Sequence, residues 1–249
     1  MKKSFLAIIP ARMKSTRFYG KPLAEINGKP MIQWVYEAAA SCKKLDKILI
    51  ATDSDEIYSN AKKFTNDILM TSDKHKSGLD RVIEAAEKEN FTHYVNIQGD
   101  EPMISDKTIE GTINLFDKYD DCQISTAAIP FETEEEFENK NNVKVVLTEN
   151  DRALYFSREA IPSLIRLENK QDAFTNKYLL KHQGLYAYTK DALFSIKNLK
   201  PCFIEDAEGL EQLRFLYYGY SIYVHHSEHE SIGVDTPEDL KKVSEYLRS

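Results

Sequence analysis

Four cations crowd the stretch "IIPARMKSTRFYGKPL" (8–23). Arg12, Lys14, Arg17 and Lys21 fall within ten residues, with no acid among them. The whole chain is acidic, with a formal net charge of −7, so this local excess suits a small polyanionic ligand. Arginine offers a planar fork and lysine a point charge, and together they can neutralise a triphosphate. The loop carries Gly20 but neither Gly-x-Gly-x-x-Gly nor Gly-Lys-Ser/Thr, so it is neither a dinucleotide fingerprint nor the common phosphate-cradling loop. The bland alternative is a solvated loop; the buried structure flanking it speaks for phosphate. Two carboxylates add chemistry. Asp100 in "QGDEP" suits either metal ligation or an ordinary turn, since Gly-Asp is common in turns. Asp235 in "GVDTPEDL" suits either ligation or service to the helix start beside it.

These residues need elements to hold them. "FLAII" (5–9) is a continuous apolar run and predicts a buried strand. "PMIQWVYEAAASC" (30–42) predicts a helix with Pro30 at its first position. "KILIATD" (47–53) predicts a strand ending at Asp53, and "SDEIYSNAKKF" (54–64) a helix capped by Ser54. "DILM" (67–70), "SGLDRVIEAAEKE" (77–89), "HYVNIQ" (93–98) and "SDKTIEGTINLFDKY" (105–119) continue the strand–helix alternation. That rhythm predicts α/β architecture, a mainly parallel central sheet flanked by helices. Ligands of such sheets bind beyond the carboxyl ends of the strands, and the basic loop, Asp53 and Asp100 all follow strands.

After about residue 120 the rhythm changes. "QISTAAI" (123–129), "VKVVLT" (143–148), "ALYFSR" (153–158) and "GLYAYT" (184–189) predict strands, joined by the connectors 132–140 and 166–177. This mixed or antiparallel excursion, about 120–185, suggests a dimer arm. "DAEGLEQLRFLYYG" (206–219) predicts one helix, "YSIYVHH" (220–226) an edge strand and "TPEDLKKVSEYL" (236–247) a last helix capped by Thr236. With no repeat or linker, a single domain over 1–249 is expected.

Composition bounds the function. At 42% hydrophobic and 29% charged, the 249 residues can bury a large core. The acidic balance argues against nucleic-acid binding, which needs a broad basic surface. Cys42, Cys122 and Cys202 are odd in number and scattered, which predicts reduced thiols in a cytoplasmic protein. "SFLAIIPA" is too short for a signal core, and no window approaches the roughly 18 apolar residues of a membrane span. His225, His226 and His229 are not read as a metal site, because strand neighbours face opposite ways.

"IPAR-x-x-STR-x-x-GKPL-x-x-INGKPMI" resembles the start of cytidylyltransferases that activate acidic sugars. "MTSDKHKSGLDR", "VNIQGDEP", "LYFSR", "KHQGLYAY", "LEQLRFL" and "GVDTPEDL" continue the match in order. Together they resemble the 3-deoxy-manno-octulosonate cytidylyltransferase (CMP-Kdo synthetase) family over nearly the whole chain, and so a Rossmann-like nucleotidyltransferase domain. Tyr19 stands where the family often has Pro, and Leu79 where Thr is frequent.

The resemblance implies that the anomeric hydroxyl of 3-deoxy-manno-octulosonate (Kdo) attacks the α-phosphorus of CTP, giving CMP-Kdo and pyrophosphate for lipopolysaccharide-type glycans. Arg12, Arg17 and Lys21 would bind the phosphates, with Lys14 left to solvent. Asp100 and Asp235 would hold Mg²⁺, and Lys21, Arg12, Asp100 and Asp235 form the implied catalytic set. Ser77, Gly78, Asp80, Arg81 and Gln98 are the implied nucleotide contacts, with Ser77, Gly78 and Gln98 placed for the base, although Ser77 on its own reads as a helix cap. Arg158, His182, Tyr186, Glu211 and Gln212 are the implied sugar contacts; His182 and Tyr186, four apart on a strand, share a face. A homodimer is expected. The same chemistry on an amino-substituted Kdo or a sialic-type acid, and a silent nucleotide sensor, are the alternatives.

Overall fold

The computed structural model describes residues 2–14, 18–75 and 77–248. The chain divides into two compact units, residues 1–110 with 229–249 and residues 111–228. The first unit opens with β1 (Phe5–Ala11), whose Leu6, Ala7, Ile8 and Ile9 are wholly buried, as a strand covered on both faces demands. A short 3₁₀ turn (Lys21–Leu23) follows the basic loop. A two-stranded hairpin comes next, β2 (Glu25–Ile26) and β3 (Lys29–Pro30). Its turn is Asn27-Gly28, both at positive φ, the dipeptide that favours tight hairpins. Helix α1 (Met31–Ser41) is capped by Pro30, so that proline precedes the helix and does not begin it. Its φ of −57° with ψ of 140° is extended backbone, already paired in β3.

The alternation continues with β4 (Lys47–Thr52), α2 (Asp55–Ala61), β5 (Ile68–Met70), α3 (Gly78–Glu87) and β6 (His93–Asn96). Ser54 accepts from the Ile57 amide and caps α2. Strand β1 pairs parallel with both β4 and β6, and β4 pairs parallel with β5. The parallel α/β frame read from the sequence is therefore present. Since the strands run the same way, the segments after Ala11, Thr52 and Asn96 emerge at one edge.

Helix α4 (Asp106–Lys118) leads into the second unit. There β7 (Ile124–Pro130), α5 (Glu134–Glu138), β8 (Lys144–Leu147), β9 (Ala153–Ser157), α6 (Gln171–Thr175), β10 (Leu180–Thr189), α7 (Lys190–Ile196), α8 (Phe203–Glu208), α9 (Gln212–Tyr217) and β11 (Ile222–His226) follow. Strand β7 pairs antiparallel with β10 and parallel with β11; β8 pairs antiparallel with β10 and β9. The mixed excursion is as expected. Both connectors contain a helical turn, because Phe137 from one and Ala173 and Phe174 from the other bury with Phe131 and Leu179. The single helix expected over 206–219 is instead two, α8 and α9. Gly209 adopts the left-handed conformation (φ 63°) and ends α8, the usual role of a glycine just past a helix. Finally α10 (Pro237–Tyr246) returns to the first unit, where Val243 packs with Ile26, Met31 and Val234.

Candidate active site

One cavity of about 660 Å³ lies in the first unit, lined by Arg12, Lys14, Tyr19, Lys21, Ser77, Gly78, Arg81, Gln98, Asp100 and Asp235 among others. Eight of the implied site residues, all of these but Lys14 and Tyr19, therefore meet at one place. Arg17 lies outside the described residues. Lys14, assigned to solvent from the sequence, is exposed but also stands on the cavity wall. Leu79 is buried in α3.

Two segments bring the carboxylates together. After β6, Gly99 passes so close to β1 that a Cβ there would sit 2.8 Å from the Pro10 carbonyl oxygen; glycine allows this approach. The next residue is Asp100. Its carbonyl accepts from the Val234 amide at 2.8 Å, which fastens the segment carrying Asp235 alongside. The Lys21 ammonium bridges the two acids, 2.5 Å from Asp100 Oδ2 and 3.2 Å from Asp235 Oδ1. The Lys21 side chain is only 12% exposed, and a cation so far out of water needs such partners.

The capping alternative for Asp235 is resolved by its neighbour. Asp239 Oδ2 accepts from the Thr236 amide at 3.0 Å while Thr236 Oγ1 accepts from the Asp239 amide at 3.2 Å, a complete capping box. Burial works against the Asp239 charge, but hydrogen bonds from the Thr236 hydroxyl and two amides hold its carboxyl below the ordinary value. With that cap served, Asp235 turns to Lys21.

Ser77 caps α3 through a second such box with Asp80. Ser77 and Gly78 thus reach the cavity as a helix N-terminus, where backbone amides and the dipole favour acceptors and anions. The Asp80 carboxylate is occupied by the Ser77 amide at 3.1 Å, so its part is to shape that terminus. Arg81 is 2% exposed; its Nη2 donates to Asp53 Oδ2 at 2.7 Å and its Nη1 to the Thr71 hydroxyl. Glu84, one turn on, pins the preceding loop: it accepts from the Ser72 amide (2.8 Å) and Lys88 (2.9 Å) and pairs with His75 (2.6 Å). Burial raises the Glu84 carboxyl, but these partners outweigh it and hold it at about 2.

The remaining predicted residues belong to the second unit. His182 and Tyr186 sit on β10, where the pairing with β7 slips between Gln183 and Tyr186; their rings still lie 5.3 Å apart. Burial pushes His182 down to about 3 and Tyr186 well above its ordinary value, with Tyr188 and the charge of Glu211 adding to the latter. Glu211 precedes α9 and pairs with Arg214 at 3.0 Å, while Gln212 is buried at the start of that helix. Arg158 follows β9. Its Nε donates to the Glu208 carbonyl (2.9 Å) and its Nη1 to the Lys140 carbonyl (3.2 Å). The Glu208 carboxylate in turn accepts from the Arg158 amide and the Ser157 hydroxyl.

Residues 6–228 match the Cytidylyltransferase family model. The chain is 44% identical to a 3-deoxy-manno-octulosonate cytidylyltransferase from Cytophaga hutchinsonii, covering 97% of this chain and 96% of that protein. It is 46% identical to one from Parabacteroides distasonis, covering 98% of each. The solved structure of a CMP:2-keto-3-deoxy-manno-octonic acid synthetase complexed with CTP superposes with a TM-score of 0.92 at 36% identity, over 99% of both chains. This chain belongs to the 3-deoxy-manno-octulosonate cytidylyltransferase family. The resemblance carried by the sequence motifs is therefore borne out.

Within this cytidylyltransferase the supporting residues were not legible as such. Asp53 was placed at the ligand edge without a role, yet it holds Arg81. Glu84 and Glu208 gave no signal, because each works through loop amides that only the fold brings near. Asp100 and Asp235, two carboxylates already converging on one cation, have the oxygen-donor chemistry of a hard divalent ion that takes its other ligands from water and phosphate. Among the described residues no cluster of three or more His, Cys, Asp or Glu forms a denser cage.

Proposed function

We propose that this protein transfers CMP from CTP to the anomeric hydroxyl of Kdo and releases pyrophosphate. The observation that carries the reading is one cavity lined by Arg12, Lys21, Asp100, Asp235 and the N-terminus of α3, with Lys21 paired to both acids. A nucleoside triphosphate needs this mixture: cations for phosphate, carboxylates for a metal, and amides and side-chain dipoles for a base. The relatives' names supply the nucleotide and the sugar.

In this reading Arg12, Arg17 and Lys21 bind the phosphates. Ser77, Gly78 and Gln98 meet cytosine, with Asp80 shaping the helix start and Arg81 forming the wall. Asp100 and Asp235 hold Mg²⁺, which when bound neutralises phosphate charge and lowers the pKa of a coordinated hydroxyl. Arg158, His182, Tyr186, Glu211 and Gln212 contact the sugar acid. The anomeric oxygen forms a bond to the α-phosphorus as the bond to the bridging oxygen breaks, and the hydroxyl proton leaves to water. The chain contributes alignment and charge neutralisation, the two effects that dominate such transfers.

The product fits lipopolysaccharide-type glycan synthesis in the cytoplasm, where CTP is available. No helix among the described residues is long and apolar enough to cross a membrane. Two copies are proposed to pair through residues near 120–185, where Leu154, Ile165, Leu167 and Tyr178 are exposed apolar side chains. The deciding assay is pyrophosphate release from CTP and Mg²⁺, with Kdo, its amino analogue and sialic acid offered in parallel. Release with Kdo is expected. Release with the amino analogue alone would keep the chemistry and replace the substrate; silence with all three, despite CTP binding, would favour a sensor.

A further inference from the structure

Thr126, on β7, is wholly buried. Its Oγ1 lies 2.9 Å from His182 Nε2, 2.7 Å from the Leu185 carbonyl oxygen and 3.3 Å from the Gln183 carbonyl oxygen. A hydroxyl has one proton and two lone pairs. Both carbonyls can only accept, so that proton belongs to the nearer one, Leu185. Towards the ring, Oγ1 is then an acceptor, and Nε2 must carry the hydrogen. The reverse arrangement would set the Oγ1 lone pairs against two carbonyl oxygens with no hydrogen between them. In a buried site that is costly.

The other ring nitrogen follows. Burial keeps the imidazole neutral, its pKa pushed down to about 3, so it has one N–H and Nδ1 is a bare lone pair. Among the described residues Nδ1 has no hydrogen-bond partner, and His182 keeps some solvent contact. Next to it, the buried Tyr186 hydroxyl also lacks a partner among the described residues. The two rings, 5.3 Å apart, thus carry a neutral acceptor and a phenolic hydroxyl with open hydrogen-bonding capacity, groups that a hydroxyl can pair with.

We propose that Thr126 is a positioning residue that fixes His182 as the Nε2–H tautomer, so that Nδ1 accepts a hydrogen bond from a hydroxyl of the sugar acid. The ligand half of this statement rests on the function proposed above. The hydrogen-bond chain runs from His182 Nε2–H to Thr126 Oγ1–H to the Leu185 carbonyl, and it sets the polarity that the sugar meets. His182 is thereby a recognition group and not a proton carrier.

Long-range ¹H–¹⁵N correlation NMR on the full-length ¹⁵N-histidine-labelled protein reads the tautomer directly. The expected spectrum has His182 Nε2 protonated and Nδ1 bare, unchanged from about pH 5 to 8; adding Kdo shifts the Nδ1 resonance. Protonation of Nδ1, or of both nitrogens, would overturn the proposal. In steady-state assays Thr126→Val is expected to raise the KM for Kdo roughly tenfold, the loss of about one hydrogen bond, with the KM for CTP unchanged and Thr126→Ser restoring the wild-type value. An unchanged KM for Kdo in a folded Thr126→Val protein would overturn it equally. Should that variant fail to fold, the wild-type spectrum and its response to Kdo decide. Wild-type protein silent towards Kdo refutes the function instead, and the spectrum then tests the tautomer on its own.

Discussion

Lys21 and Asp100 meet at 2.5 Å across 79 residues of sequence. The same ammonium reaches Asp235 at 3.2 Å, so removing one acid leaves the lysine a partner. Asp100→Ala is therefore expected to fold and to bind CTP measurably by calorimetry, since Arg12 and Lys21 remain. Its rate of pyrophosphate release should fall by at least roughly 10²–10³-fold, the scale of losing one group that stabilises transition-state charge. Near-normal turnover would remove Asp100 from the catalytic set.

Asp235 and Asp239, four residues apart, have separate duties that two substitutions can separate. Thr236→Ala breaks the capping box and should cost about 1 kcal/mol in urea denaturation while leaving the KM for CTP within a small factor. Asp235→Asn should do the opposite, abolishing turnover with little change in the denaturation midpoint.

The Glu84 cluster predicts a pH dependence. Its folded carboxyl titrates at about 2, below the ordinary 4.5, so the folded state binds the proton more weakly than the unfolded chain. The resulting stability is complete above about pH 4.5 and disappears as the pH falls towards 2. Glu84→Gln should melt at a lower temperature than wild type at pH 6, with the gap narrowing steadily below pH 4.5. Because Glu84 ties down the loop leading to Ser77, the KM for CTP should rise as well. A constant gap across the range would assign the effect to packing.

Gly99→Ala tests the close approach under β1. A Cβ there meets a backbone oxygen at 2.8 Å and cannot turn aside as it could from a flexible side chain. The expected cost is about 1–3 kcal/mol of stability, in the range of overpacked positions, with turnover lost because Asp100 is displaced. Full activity would mean that the 98–100 segment can move without harm.

The first half of the fold was legible because its signals are local. Apolar runs such as 5–9 and 47–53 alternate with capped helices, and parallel pairing follows from that rhythm. The hairpin at Asn27-Gly28 had its signal too, in the dipeptide itself, but strands of two residues have no periodicity to read. In the second unit the two connectors looked polar, because only Phe137, Ala173 and Phe174 betray the short helices there. The site residues were legible through family motifs. Their supports were not: Asp53, Glu84, Glu208 and Thr126 act through residues 28, 12, 50 and 56 positions away, distances at which single-sequence patterns say nothing about contact.

Gly209 has a further effect. Glu205 and Arg214 are nine residues apart, which in an unbroken helix separates them by about 13 Å along the axis. With the chain turned at Gly209 they approach to 3.2 Å, and Glu211 reaches the same Arg214 nitrogen, Nη2, at 3.0 Å. The glycine converts what would have been a rod into a clasp. The direction in which Glu211 and Gln212 are presented is thus tied by charge to the helix on the far side of one left-handed glycine, and an alanine there would strain the turn on which that clasp depends.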